Sequence, residues 1–225
     1  MLDLLRAAGL DGYEASEHDI HGSTVVVVRV EGRSSEALRS ARAGLTDHYP
    51  VLVDDIQQVI DPDFHHKAAP ASLIADAGSL DLDARIAELS ARWLGEREPG
   101  SDDDALGPEH YDIAGFGESE ALVILPRPEP WSVFAYLGTA WTILGADPET
   151  MLAAGRRWYD RYGAEPTVAG LATGFVVPRP PADPAEAWQV AVEHVTLAGL
   201  TARTTLRGYA RSLETLPHWT LYNRP

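Results

Sequence analysis

The run "STVVVVRV", residues 23–30, limits the fold more than any other stretch. Four consecutive β-branched side chains, Val25–Val28, favour an extended backbone, because branching at Cβ costs rotamer freedom in a helix. Successive side chains of a strand point to opposite faces. A strand that is apolar at every position therefore needs cover on both faces. With 225 residues, 45% of them hydrophobic, the chain can build such a layered core as one large domain or two small ones.

The neighbouring segments supply the layers. "YEASEHDI" meets the valine strand across His21-Gly22 and reads as its hairpin partner. "SSEALRSARAGL" predicts a helix with Ser34 or Ser35 as N-cap and Gly44 near its end, and "YPVLVDD" predicts the next strand. Strand, helix and strand in this order make a βαβ-like unit. "LDLLRAAGL" predicts a short helix before it, and "DPDFHHKAAPAS" a looser stretch after it. In "SLDLDARIAELSARWLG", Leu82, Ile86, Leu89 and Trp93 share one helical face, with Ser79 placed to cap it.

Residues 95–112, "GEREPGSDDDALGPEHYD", are polar and rich in Pro, Gly and Asp, which marks an acidic linker. The expected organisation is an acidic α/β region over 1–94, this linker, and a C-terminal α+β domain over 113–225. In that domain "EALVILP" and "WSVFAYLG" predict two strands, "TGFVVPRPP" a third and "HWTLYN" a fourth. "DPAEAWQVAVEHVTLAG" predicts a helix capped by Asp183, with Pro184 at its first position. Its apolar stripe is Trp188, Ala191, Val195 and Ala198, which turns Glu193 outward and leaves His194 at the margin. "TTLRGYARSLETL" predicts a weaker helix. Strands and helices mix without strict alternation, so the expected class is α+β, a mixed sheet packed with helices.

Charge is divided unevenly. Residues 1–112 hold 9 basic and 23 acidic side chains, whereas residues 113–225 hold 9 and 11. A net charge of −16 repels phosphate backbones, which argues against nucleic-acid binding. It suits either solubility alone or the docking of a basic partner. Without cysteine the chain forms no disulfide, thiolate metal site or Cys nucleophile. The start "MLDLLRAAGLDG" lacks a signal-peptide pattern, and no apolar run is long enough to span a membrane. A soluble cytoplasmic protein is expected.

Residues 145–166, "GADPETMLAAGRRWYDRYGAEP", crowd arginines among aromatics. Asp147, Pro148 and Glu149 signal a helix start, and Gly163 a helix end. Met151, Gly155, Trp158 and Tyr162 form its buried stripe. Arg156, Arg157 and Arg161 fall off that stripe, with Asp160 placed to pair with Arg156 or Arg157. They are either a solvated face or an arginine cluster for an anionic ligand.

This helix with "PEPWSVFAYLGTAWTILG" before it, then "PRPPADPAEAWQVAVEHV" and "HWTLYN", resembles the bacterial family of domains of unknown function numbered 4253. Trp131, Trp141, Pro148, Trp158, Gly163-Ala164, Arg179-Pro180-Pro181, Glu193 and Trp219 carry the resemblance, which covers roughly residues 113–225. The chain departs from the family at Trp141-Thr142-Ile143-Leu144-Gly145, at "LAGLTART" and at Tyr222-Asn223, where polar or cysteine-containing motifs are expected. The resemblance therefore implies a fold and no reaction, with scaffold positions kept and several polar ones lost.

Candidate chemistry is sparse. Glu17, His18, Asp19 and His21 in "EHDIH", and the pair His65-His66, are metal-capable residue types. Short acidic hairpin ends and adjacent histidines usually bind none, and no metal or other cofactor is expected. His110, Asp112 and Glu118 surround a Gly115-x-Gly117 that lacks the rest of a phosphate-loop pattern. No nucleophile-elbow, HExxH or Walker motif is present, so no catalytic residue is assigned. The candidate ligand or partner surface is an aromatic set, Trp131, Trp141, Trp219 and Tyr222, with Arg156, His194 and His218 beside it.

Two functions of different class fit these features. The first is a non-enzymatic, immunity-like or regulatory module whose acidic half binds a basic protein. The second is an enzyme or small-ligand binder using the aromatic cleft. A structural role in a bacterial or phage assembly is a third. The sequence does not set the oligomeric state.

Overall fold

The computed structural model describes residues 1–94, 119–137, 147–170, 172–198 and 205–222. They form a seven-stranded mixed sheet with helices on both faces, an α+β architecture. The strands are β1 (Ala15–Ile20), β2 (Ser23–Arg29), β3 (Tyr49–Val53), β4 (Ala121–Leu125), β5 (Glu165–Ala169), β6 (Ala172–Val176) and β7 (His218–Tyr222). Their order across the sheet is β1-β2-β4-β3-β5-β6-β7. Neighbours pair antiparallel except β3 and β5, which are parallel.

The valine run behaves as its composition demands. Val25 and Val27 enter one core with Val51, Val53 and Val123, while Val26 and Val28 enter a second with Leu52, Leu122 and Ile124. Helices α1 (Leu2–Ala7) and α2 (Ser34–Gly44) cover the smaller core through Leu5, Ala8, Leu38 and Ala41. The larger core lies under α4 (Pro70–Ser79), α5 (Leu82–Leu94), α6 (Val133–Tyr136), α7 (Pro148–Tyr162), α8 (Pro184–Ala198) and α9 (Leu206–Leu213). A single-turn helix, α3 (Gln57–Ile60), follows β3. None of these described helices is long and apolar enough to cross a membrane.

The β1–β2 hairpin turns through His21 and Gly22, both at positive φ, the backbone that a two-residue primed turn requires. Strand β2, α2 and β3 form the βαβ-like unit, opened by one strand. Strand β4 is antiparallel to both β2 and β3 and lies between them, with Val27↔Val123 on one side and Val51↔Val123 on the other. The acidic segment 95–112 lies outside the described residues, and the sheet joins strands from before and after it.

Some local expectations change. "WSVFAYLG" is not a strand: Pro130–Ser132 make a 3₁₀ turn and Val133–Tyr136 a turn of α-helix. Every residue from Val133 to Leu137 is buried, so the segment carries no alternation that would separate helix from strand. Helix α4 occupies part of what reads as loop, with Pro70 at its first turn, and Ser79 ends it instead of capping α5. Asp81 accepts the Ala84 N–H of α5 in that role (3.1 Å). Ser34 lies inside α2, whose N-cap is Arg33. Strand β5 follows Gly163 where no strand is expected.

Helix α7 follows its signals closely. The Asp147 carboxylate accepts the Thr150 N–H (2.7 Å), and Gly163 closes the helix at φ 66°. Gly155 is there for space: a Cβ would lie 2.5 Å from the Phe134 ring, which is itself fully buried. Gly155→Ala should therefore destabilise the fold by about 1–2 kcal/mol, because overpacking outweighs alanine's better helix propensity. Urea denaturation of the two proteins measures this; an unchanged or raised stability would mean that Phe134 moves aside freely.

Candidate functional site

The aromatic residues of the C-terminal half converge between α7, α8, α9 and β7. Trp158 of α7 and Trp219 of β7 are fully buried, with rings perpendicular and 6.3 Å apart. Phe175 of β6 meets the edge of Trp158 at 5.8 Å, and Tyr162 meets Trp219 at 5.6 Å. Edge-to-face contacts of this kind pack aromatic cores densely.

Two polar groups are sealed inside this shell. Glu193 of α8 is 1% exposed. The Trp158 indole N–H donates to its Oε2 (2.6 Å), and Arg157 Nη1 and Gln189 Nε2 donate to its Oε1 (2.8 and 3.2 Å). Arg157 also donates to Asp83 of α5 at 2.7 Å, so one guanidinium ties α5, α7 and α8 together. Burial disfavours the charge on Arg157, but its bonds to Asp83 and Glu193 outweigh that and hold its pKa above the ordinary value. A buried carboxylate that is both paired and hydrogen-bonded is a stable arrangement; losing either partner leaves a bare charge in the core.

His194, also 1% exposed, follows on the same helix. Its Nδ1 lies 2.8 Å from the Tyr209 hydroxyl of α9, and its ring packs 4.6 Å from Trp158 and 4.9 Å from Trp219. Burial pushes its pKa down to about 3, so the imidazole is neutral at physiological pH. Its Nε2 and the Trp219 Nε1 have no hydrogen-bond partner among the described residues. An imidazole so enclosed is poorly placed to exchange protons with a substrate.

These positions correct the helical phase expected from the sequence. Glu193 points inward and His194 is deep in the core, whereas Trp188 is 41% exposed and Val195 half-buried. The phase fails because Trp188 is the largest apolar residue of α8 and Glu193 its obvious polar one. The inward partners of Glu193 lie on another helix, beyond the reach of local pattern. Likewise Arg157 turns inward, while Arg156 stays exposed, 3.8 Å from Asp160 and 5.7 Å from the Trp131 ring. Exposed Arg161 reaches Gln189 at 3.5 Å. The three arginines thus have separate partners.

The anticipated surface is only partly assembled. His194 and Trp219 meet, and half-buried Trp131 stacks with Arg156 on the α6–α7 side. His218 is exposed, and strand alternation directs it to the face of β7 opposite Trp219. Tyr222 pairs with Ala172 at the end of β7, and Trp141 lies outside the described residues, as do His110, Asp112 and Glu118. Glu193, Arg157, Trp158 and Tyr209 are the polar partners that sequence patterning does not assemble; the Glu193-His194 doublet is their one local signal.

Elsewhere the metal-capable residues serve the backbone and each other. Asp19 accepts the Gly22 N–H (3.0 Å), His18 lies 2.8 Å from the Ser16 hydroxyl, and His65 and His66 bond the carbonyls of Val59 and Phe134. Among the described residues no three His, Asp or Glu side chains are arranged to hold a metal ion. An open depression of about 400 Å³ lies at the start of α2, between Arg33, Ser35, Glu36 and Arg39, on the opposite side of the sheet from the aromatic shell.

Residues 121–222, from the first residue of β4 to the last of β7, match the family described as "Domain of unknown function (DUF4253)". This part of the C-terminal half is similar to the DUF4253 family. Trp158 and Glu193, two of the residues that carry the resemblance, bond each other in the core of the matched region, and Trp219 closes the box around His194. No curated protein and no solved structure matches the chain.

Burial of His194 makes stability pH-dependent. The unfolded imidazole takes up a proton below about pH 6.5, whereas the folded one stays neutral down to about 3. Stability is therefore full above pH 6.5 and falls by ~1.4 kcal/mol per unit as the pH drops through that window. Carboxylates add their own acid dependence, so the measurement is the difference between the protein and its His194→Gln variant. The variant should lose about one proton of linkage between pH 6.5 and 5 in urea titrations; parallel slopes would show that His194 protonates in the folded state.

Proposed function

We propose that the chain is a non-enzymatic protein-binding module, regulatory or immunity-like, acting in the bacterial cytoplasm and docking a basic partner on its acidic N-terminal half. The observation that carries this is a surplus of exposed, uncompensated charge. Asp11, Glu36, Asp47, Asp63, Asp76 and Asp81 are all exposed and form no ion pair among the described residues. They lie on α2, α4 and the connections around α1, β3 and α5. Unneutralised carboxylates on one half of a molecule attract and orient a cationic surface at long range.

The C-terminal half supports the same reading by contrast. Its histidine and carboxylate of greatest catalytic promise are occupied in holding helices together, and His218 faces away from them. The cleft reading therefore lacks an accessible acid–base pair among the described residues.

The test is affinity capture from the native host with three forms of the protein: unaltered, with Asp11, Glu36 and Asp47 all changed to lysine, and with Asp63, Asp76 and Asp81 all changed to lysine. A basic protein should be retained at low salt, released at high salt and lost from at least one reversed form. Retention indifferent to salt and to both reversals, or no partner under any condition, would contradict the proposal.

A further inference from the structure

Strand β1 ends the sheet, with β2 its only neighbour among the described residues. The register fixes which way its backbone faces. The Arg29 N–H donates to the Glu14 carbonyl (2.9 Å), so Glu14, Ser16, His18 and Ile20 direct their peptide groups toward β2. Ala15, Glu17 and Asp19 then direct theirs outward, where no backbone hydrogen bond among the described residues engages them. Ser16, Glu17 and Asp19 are exposed and Ala15 and His18 half-buried, so the edge is open to solvent. A strand edge with free N–H and C=O groups is a template for another strand.

The side chains say which kind of strand fits. Glu17 and Asp19 share the face of the outward residues, and Glu14 precedes them. Nearby cations compensate these acids only partly. Glu17 lies 3.3 Å from the Met1 ammonium, Glu14 lies 3.8 Å from Arg29, and Arg29 is shared with Glu31 at 4.0 Å. All are exposed pairs of the kind that contributes little. Among the described residues Asp19 has no cation partner and accepts the Gly22 N–H. A second copy of β1 would set acid against acid across the new pairing, which disfavours self-association at this edge. An arginine or lysine at every second position of an added strand would instead face Glu17 and Asp19.

We propose that β1 is a strand-addition site for an extended basic segment of a partner protein, paired through the backbone of Ala15, Glu17 and Asp19. This rests on the acidic docking role proposed above and names its place and geometry. The experiment uses the full chain and two synthetic peptides of equal length and charge, one alternating threonine with arginine and the other proline with arginine. Proline fixes φ and carries no N–H, so the second peptide keeps the charge but cannot join a ladder. Binding is followed by amide hydrogen exchange at low salt. The threonine peptide should bind about tenfold more tightly or better, since each ladder hydrogen bond adds a modest net gain. It should also slow exchange at the amides of Ala15, Glu17 and Asp19. Equal affinity for both peptides, with no protection along β1, overturns strand addition and leaves the acidic surface standing. Binding of neither peptide overturns both.

Discussion

Strand β4 is the piece on which the rest of the molecule depends. Its five residues are completely buried, all paired with β3 and four of them, Ala121–Ile124, also with β2. Leu122 and Ile124 fill the core beneath α1 and α2, while Ala121, Val123 and Leu125 fill the core beneath the other helices. One short segment therefore joins two hydrophobic layers and two stretches of sequence. The acidic segment 95–112 lies between the halves in sequence, yet the sheet joins strands from both.

The second organising contact is polar. Arg157 reaches Asp83 and Glu193 at once, and Glu193 also receives the Trp158 indole N–H. Such a group sits in a core only where its partners are held to a narrow geometry, so the contact fixes the mutual placement of α5, α7 and α8. Most of these groups lie in the segment that matches DUF4253, whereas Asp83 comes from the other half of the chain. The helices of that segment are thus aligned partly by a residue outside it.

Much of this was legible in local pattern. The Val25–Val28 strand, the hairpin at His21-Gly22, and the Asp147-Pro148 and Asp183-Pro184 helix starts each depend on residues a few positions apart. The α+β class followed from them. What escaped local pattern depends on partners far along the chain. The phase of α8 turns on Arg157 and Trp158, which no periodicity within α8 can register. Segment Val133–Tyr136 is apolar throughout, so no alternation reveals its helical state, and the space its Phe134 ring fills is left by Gly155 of another helix. The insertion of β4 between β2 and β3 reflects pairing, which strand propensity does not encode. For the candidate site, residue types gave the aromatic set but not its depth, and burial turned His194 from a residue beside that surface into a neutral packing element.

The place of β4 also bears on how the molecule comes into being. A ribosome delivers β2 and β3 well before it delivers Ala121–Leu125, the strand that lies between them. Without β4, the edges that it pairs are left as unpaired strand edges on largely apolar strands, the kind of surface that chaperones hold and that aggregates recruit. Closure of the sheet must await a pairing distant in sequence, which slows folding relative to a hairpin of the same size. A nascent chain halted before β4 would therefore be one for the cell's quality control to clear, because no shorter product completes the sheet.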